Sequence, residues 1–246
     1  MTSWPDGYAL KYFDEIDSTN EEARRLAAAG ERGPIWIIAD RQTAGRGRRG
    51  RIWESPAGNL SATLFLRPEK PANTCAQLSF VAALAASDVV SRLAPLADVR
   101  VKWPNDVLAD GRKIAGILLE STSIGNDRLE WLAVGIGINL AYFPVDTEFP
   151  ATALTMLGRD GIGVRDASTR LAGAWCEWYD IWQGDGFSRI RDVWLSRAAR
   201  LGELIRARLA SGETSGVFEG IDENGALIIR EVWGRTRVIA AGEVFF

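Results

Sequence analysis

The sequence predicts an α/β protein in two parts: a domain of alternating strands and helices over residues 1–200, then a small β-barrel over residues 201–246. Three observations predict it. Short apolar runs of strand length alternate with helical stretches through the first part. One of those stretches, AQLSFVAALAASDVVSRLA, is apolar around most of its circumference, which marks a helix buried against a sheet. From Gly202 onward the chain breaks into short strand-like runs divided by turn signals. With 246 residues, 47% of them hydrophobic, there is enough apolar surface for a sizeable core.

DSTNEEARRLAAAG opens the series of elements. Ser18 suits a helix N-cap with Glu21 three positions on, Ala23, Leu26 and Ala27 make the apolar stripe, and Gly30 ends it. Ser18, Thr19 and Asn20 therefore sit at the positive end of a helix. PIWIIA follows as a short buried strand and NLSATLFL as another, with a loop rich in arginine and glycine between them. After the buried helix comes VRVKWPNDVLADGRKIAGILLES. Pro104 interrupts its first strand at Trp103, and Asp110-Gly111 reads as a two-residue hairpin turn, so residues 102–113 form one strand, loop and hairpin unit. LEWLAVGIGINL is a further strand, in which Gly135 and Gly137 imply tight packing or close approach of a ligand. Helices are expected over residues 166–183 and 188–199, where Trp and Leu recur at helical spacing. The β unit then runs ELIRARLA, GVFEGI, ALIIRE, TRVIAA and EVFF, with SGETSG and DENG as separators.

Composition narrows the chemistry. A net charge of -3 argues against the broad basic footprint of a nucleic-acid-binding protein. The N-terminal MTSWPDGYALKYFDE lacks a basic segment followed by an apolar run, and no charge-free stretch of about 18 apolar residues appears later, so a cytoplasmic protein without membrane contact is expected. Cys75 and Cys176 lie in apolar helical contexts and read as buried thiols. There is no histidine at all, which removes Ser/His and Cys/His nucleophiles, the common zinc sites and any histidine base. Catalysis, if present, falls to Lys, Arg, Asp, Asn and backbone groups.

The loop AGRGRRGR carries Gly45, Gly47 and Gly50 in the spacing G-x-G-x-x-G. A dinucleotide-binding turn needs a strand directly before and a helix directly after. Here five residues separate Ala39 from Gly45, the following RIWESPAGNL contains Pro56, and no acid lies near position 65. No Gly-Lys-Ser/Thr completes a P-loop. A disordered RGG-type segment would be repeated, and a plain solvated loop would have no use for three costly glycines. Arginine forks beside open amides suit a small anion carrying carboxylate or phosphate. Three further clusters agree with that reading. KWPND places Lys102, Asn105 and Asp106 around a proline-stiffened loop, with Asp106 a candidate magnesium contact or an Asx turn. GRKIAG sets Lys113 between apolar residues on a strand, where it wants an anion. GIGIN supplies Gly135, Gly137 and Asn139.

Taken together, STN, RQTAGRGRRGR, KWPNDV, GRKIAGILLE and GIGIN occur in the order and approximate spacing of biotin-protein ligases, which the chain resembles over residues 12–246. The resemblance implies a mixed-sheet α/β catalytic domain related to class II aminoacyl-tRNA synthetases, followed by a small SH3-like barrel. It implies ATP-dependent formation of biotinyl-5'-AMP with magnesium, then transfer of the biotinyl group to a lysine of a carrier such as a biotin carboxyl carrier domain. Ser18, Thr19, Asn20 and Gln42 would hold the ureido end of biotin, with Gly116, Gly135 and Gly137 letting it lie against backbone. Gly45, Arg46, Gly47 and Arg48 would belong to the loop over its carboxylate and the α-phosphate. Lys113, Arg46 and Arg48 would be catalytic, and Arg51 would meet the departing pyrophosphate. Trp53, Asn105, Asp106, Asn139 and Phe149 would complete the ATP site, with Asp106 on the metal and Phe149 stacking on adenine. Only 17 residues precede Ser18, so a short form without the N-terminal DNA-binding domain of some relatives is expected, as monomer or homodimer. Two alternatives stay open: a lipoate- or octanoate-protein ligase or transferase on a related fold, though these carry a histidine near a glycine-rich segment, and a non-catalytic, nucleotide-responsive binding module.

Overall fold

A computed structural model describes residues 3–125 and 127–246. Two sheets organise the chain. The larger has seven strands: β1 (Ala9–Ile16), β2 (Ile35–Gln42), β3 (Leu60–Leu66), β4 (Val99–Lys102), β5 (Asp106–Ala109), β6 (Arg112–Ile124) and β7 (Arg128–Ile138). Their spatial order is β1-β2-β3-β7-β6-β5-β4, with β1 parallel to β2 and every other neighbour antiparallel. The sheet is therefore mixed: the helical crossover between β1 and β2 allows the one parallel pair, and the remaining neighbours run antiparallel.

The two faces of this sheet differ, and period-two alternation along the strands sorts them. Along β2, Trp36 and Ile38 point to one side, where α3 (Leu78–Leu93), α4 (Val164–Asp185) and α5 (Phe187–Ser196) cover the main core. Ile35 and Ile37 point to the other, onto Ala23, Leu26 and Ala27 of α1 (Thr19–Ala28). The span Ala72–Leu93, made of the short α2 (Ala72–Ala76) and α3, is apolar enough to cross a bilayer by composition, with mean hydropathy 1.4. Here it is a core element, with Val81, Leu84, Ala85 and Val90 wholly buried beneath the sheet.

The smaller sheet has five antiparallel strands in the order β11-β10-β9-β8-β12. They are β8 (Leu204–Leu209), β9 (Gly212–Ile221), β10 (Leu227–Arg230), β11 (Thr236–Ile239) and β12 (Glu243–Phe245). It packs on the main domain through Ala207, Phe218, Leu227 and Val244, which join the same core. Trp103 Nε1 donates to Gly225 O at 3.0 Å and fastens the two parts.

The structure departs from the sequence reading in three places. β1 was not expected, because an edge strand paired on one side only and half exposed shows no clean alternation. SGETSG is mostly strand: β8 and β9 meet at a tight turn, and this long hairpin absorbs five of its residues. Ser18 caps α1 by accepting from Glu21 N at 3.4 Å, but Glu21 does not close a capping box. Its carboxylate goes to Arg24 and Arg46 instead, and Ser18 N donates to Asp17 Oδ1 at 2.7 Å. Charged donors outbid a backbone amide for a carboxylate.

Candidate functional site

The α1 face of the sheet is only half covered, and the bare half is a cleft of about 420 Å³. Strand register builds its floor. One cross-strand row runs Ser61 (β3), Gly137 (β7), Gly116 (β6), Asp106 (β5) and Lys102 (β4). The next row carries Thr63, Gly135 and Leu118. The three glycines fall where side chains would otherwise fill the groove. At Gly137 a methyl group would sit 2.5 Å from the indole of Trp53, at Gly116 it would sit 3.2 Å from the same ring, and at Gly135 it would collide with Asn20 Oδ1. These glycines serve close approach, not backbone freedom.

One end of the cleft is neutral and polar. Thr19 and Asn20, buried in the first turn of α1, meet Thr63 and Gln42 there. Gln42 Oε1 accepts from Thr19 N at 2.8 Å and lies 3.0 Å from Thr19 Oγ1. Thr63 Oγ1 lies 2.8 Å from Thr19 Oγ1 and 2.6 Å from Asn20 Oδ1. Asn20 Nδ2 donates to Glu120 Oε2 at 2.7 Å.

The other end is cationic. Lys113 Nζ stands 2.6 Å from Asp106 Oδ1, an ion pair in which that buried oxygen has no well-aligned hydrogen bond. Lys102 is only 5% exposed, and burial pushes its ammonium down to about 8. Residues 43–59 form the roof. Within it a one-turn 3-10 helix (Arg48–Gly50) bends through Arg49, which is left-handed at φ 59°, and Gly50 at φ 73°. Arg48 donates to Asn105 Oδ1 at 3.2 Å and to Gly242 O at 3.4 Å, and burial lowers its pKa. Arg51 pairs with Glu243 at 2.7 Å and Glu148 at 3.3 Å, and Arg49 with Glu243 at 3.4 Å. Arg46, by contrast, reaches back to the polar end, where it pairs with Glu21 of α1 and with Glu120 at 3.2 Å each; burial opposes its charge, but the two carboxylates outweigh burial and raise its pKa.

Nearly all the residues singled out from sequence line this one cleft: Ser18, Thr19, Asn20, Gln42, Arg46, Gly47, Arg48, Arg51, Trp53, Asn105, Asp106, Lys113, Gly116, Gly135, Gly137, Asn139 and Phe149. Gly45 does not. It is buried at the base of the roof, its carbonyl accepts from Trp53 N at 3.0 Å, and a methyl there would strike Trp53 O. It therefore serves packing at the base of the roof. Gly47 N is likewise spent on Arg51 O at 2.8 Å. Asn139 is 2% exposed and its Nδ2 donates to Thr152 O at 3.0 Å, so half of its amide is committed to holding the loop. Phe149 reaches the cleft, but its ring already carries Lys102 Nζ 3.6 Å from its centroid and stacks on Phe245 at 4.8 Å. An adenine would have to displace one of these neighbours, which weighs against Phe149 as its platform.

Other residues of the cleft had no assigned role in the sequence reading. Ser61 lines it, while Thr63 and Glu120 stand behind Asn20; Ser61 and Thr63 are polar at alternate positions of an apolar strand and Glu120 continues the Gly116–Leu118 face of β6, a period-two pattern that was the available signal. Glu243 arrives from the far sheet, which no local pattern announces. Among the described residues no group of three His, Cys, Asp or Glu converges. A single carboxylate such as Asp106 still suits magnesium, which is commonly held by one or two carboxylates together with phosphates and water.

A sheet-floored cleft, neutral at one end, cationic at the other and roofed by a basic loop, defines a protein built to hold a long, partly anionic small molecule. The chain belongs to the biotin/lipoate A/B protein ligase family, whose model matches residues 12–139, and the model of the biotin protein ligase C-terminal domain matches residues 201–246. It is 50% identical over 236 residues to a biotin--[acetyl-CoA-carboxylase] ligase of Paracoccus denitrificans, covering 94% of this chain and 97% of that one. It is 33% identical to the bifunctional ligase/repressor BirA of Bacillus subtilis, covering 96% of this chain and 73% of that protein. Among solved structures, the biotin protein ligase of Aquifex aeolicus in complex with biotin and ATP superposes with a TM-score of 0.82 at 30% identity, covering 96% of this chain and 97% of that one. The fold is that of biotin ligases, with an SH3-like C-terminal sheet.

Proposed function

We propose that the protein is an ATP-dependent biotin-protein ligase acting in the cytoplasm on the lysine of a biotin carboxyl carrier domain. The observation that carries the reading is the polarity of the cleft floor, which grades from hydroxyl and amide groups through bare glycine to Lys113 and Lys102. Biotin has the same gradation: a neutral ureido head, a slim apolar chain and a carboxylate. Residues 1–200 carry the chemistry, and residues 201–246 close the cleft through Gly242 and Glu243.

In the first step the ionised biotin carboxylate attacks the α-phosphorus of ATP, a P–O bond forms, and pyrophosphate leaves. No base is needed, so a chain without histidine can perform it. Thr19, Asn20 and Gln42 fix the head group. Lys113 and Arg46 neutralise the carboxylate and α-phosphate as they approach, Arg48 closes over the adenylate, and Arg51 faces the leaving pyrophosphate. Trp53, Asn105 and Asn139 line the nucleotide's path. Asp106 would hold the magnesium that arrives with ATP, an ion that supplies further neutralisation of the polyphosphate. In the second step the carrier lysine, as its free amine, attacks the acyl carbon, the acyl–phosphate bond breaks, AMP departs and the amine loses its proton.

The test compares biotin, lipoate and octanoate in ATP-pyrophosphate exchange. Exchange driven by biotin alone is expected. Exchange driven by lipoate or octanoate in preference to biotin would contradict the substrate assignment.

A further inference from the structure

We infer that Glu120 is a positioning residue for the neutral end of the cleft: its carboxylate sets which way the Asn20 amide points, and with it the hydrogen-bond pattern offered to the ligand's head group. The inference rests on the ligase reading above. Glu120 lies on the same face of β6 as Gly116 and Leu118, and it backs the cleft through Asn20 without lining it. Asn20 is 5% exposed and lies over Gly135.

The hydrogen-bond logic is directional. A carboxylate only accepts, so the Asn20 NH2 faces Glu120, where Nδ2 lies 2.7 Å from Oε2; the Leu118 carbonyl, 3.4 Å from the same nitrogen, is a longer and weaker second acceptor. The Asn20 oxygen is thereby turned toward Thr63, whose hydroxyl is 2.6 Å away and gives up its one hydrogen to an oxygen that cannot donate. At the far side, Gln42 Oε1 takes the Thr19 backbone N–H, leaving Nε2 as the donor end of that amide. The polar end of the cleft thus has a fixed acceptor at Asn20 and a fixed donor at Gln42. That pair complements a head group bearing both N–H and C=O, as a cyclic urea does. A glutamine at position 120 offers either an oxygen or an NH2, which leaves the long contact from Nδ2 to Leu118 O, at 3.4 Å, as the remaining restraint on how Asn20 points.

Glu120 has a second partner, Arg46 Nη2, at 3.2 Å from both carboxylate oxygens, so an effect through the roof must be separated from an effect through Asn20. A double-mutant cycle does so. In ATP-pyrophosphate exchange, Glu120→Gln is expected to raise the biotin KM about 10-fold, with kcat and the ATP KM unchanged. On an Asn20→Ala background the same substitution is expected to add nothing. A biotin KM within about twofold of wild type overturns the inference, and so do effects that multiply across the two substitutions, as action through Arg46 would give. A second readout needs no ligand. By NMR hydrogen exchange the Asn20 side-chain amide protons are expected to be protected in the wild-type protein and exposed in Glu120→Gln, and equal protection overturns the inference. Absence of biotin-dependent exchange in the wild-type protein counts against the ligase reading alone.

Discussion

At the residue scale the site is a balance of buried charge. Lys113 is held against Asp106, and removing its ammonium leaves the growing negative charge of the first step without its nearest cation. Lys113→Ala is expected to slow biotin-dependent exchange by about 100-fold, near 3 kcal/mol of transition-state stabilisation, with the fold retained by circular dichroism although the thermal midpoint falls as Asp106 loses its partner. Exchange near the wild-type rate would remove Lys113 from the mechanism. Lys102 gives a pH signature. Burial sets its folded pKa to about 8, while an unfolded lysine keeps its proton to about 10.4. The unfolded chain binds more protons in that window, so this group adds to stability as pH rises through it, and costs stability below it. Its attraction for a phosphate runs the opposite way. The ATP KM is expected to rise as pH passes about 8, and to lose that dependence in Lys102→Met. A flat profile in the wild-type protein would show that Lys102 does not touch the nucleotide. Lys113 was legible as a lysine between apolar strand residues, because a buried cation asks for an anion, whereas Lys102 was visible only as one polar residue of the KWPND loop. Glu120 and Glu243 were not legible, because their meaning depends on partners distant in sequence, Asn20 and Arg46 for one and Arg51 for the other.

At the element scale, strand register does most of the work. The Ser61–Gly137–Gly116–Asp106 row exists only because four strands align in this order. A one-residue slip would exchange floor for core. Gly137→Ala places a methyl 2.5 Å from Trp53. It is expected to cost about 1–3 kcal/mol or to push the indole into the ligand's path. Differential scanning calorimetry and the biotin KM read the two outcomes, and a variant unchanged in both would refute the tight floor. The roof makes its own prediction. Arg48 reaches Asn105 on one side and Gly242 on the other. Arg48→Gly is therefore expected to release free biotinyl-AMP while keeping the first step, measured by chromatography of the reaction mixture. Release no greater than wild type would show that Arg48 does not retain the intermediate. Helices α1, α4 and α5 and the hairpin at Asp110-Gly111 were legible from periodicity and turn chemistry, whereas β1 was hidden by its edge position. The glycines of AGRGRRGR were visible as a pattern, but their roles were not: Gly45 packs, Gly47 bonds within the roof and only Gly50 uses the left-handed region.

At the scale of the whole molecule, the second sheet completes the cleft. Glu243 on β12 pairs with Arg49 and Arg51 of the roof, and Gly242 accepts from Arg48, so loop and small sheet hold one another across 190 residues of sequence. Glu243→Gln keeps the shape and removes the charge. It is expected to speed tryptic cleavage within residues 46–51 and to raise the ATP KM, and unchanged cleavage would show that the pairing does not restrain the roof. A buried helix packed on a sheet, and a change of character near residue 201, could be read from the chain alone. That the small sheet turns its last strand toward the arginines could not, since only tertiary packing brings positions 48 and 242 together. The account stands most directly on transfer to a carrier: incubation with biotin, ATP, magnesium and a biotin carboxyl carrier domain, followed by mass spectrometry of its peptides. One biotinyl group on one lysine, dependent on both biotin and ATP, is expected. An unlabelled carrier beside an enzyme that binds biotin and ATP would contradict it and leave a binding module in its place.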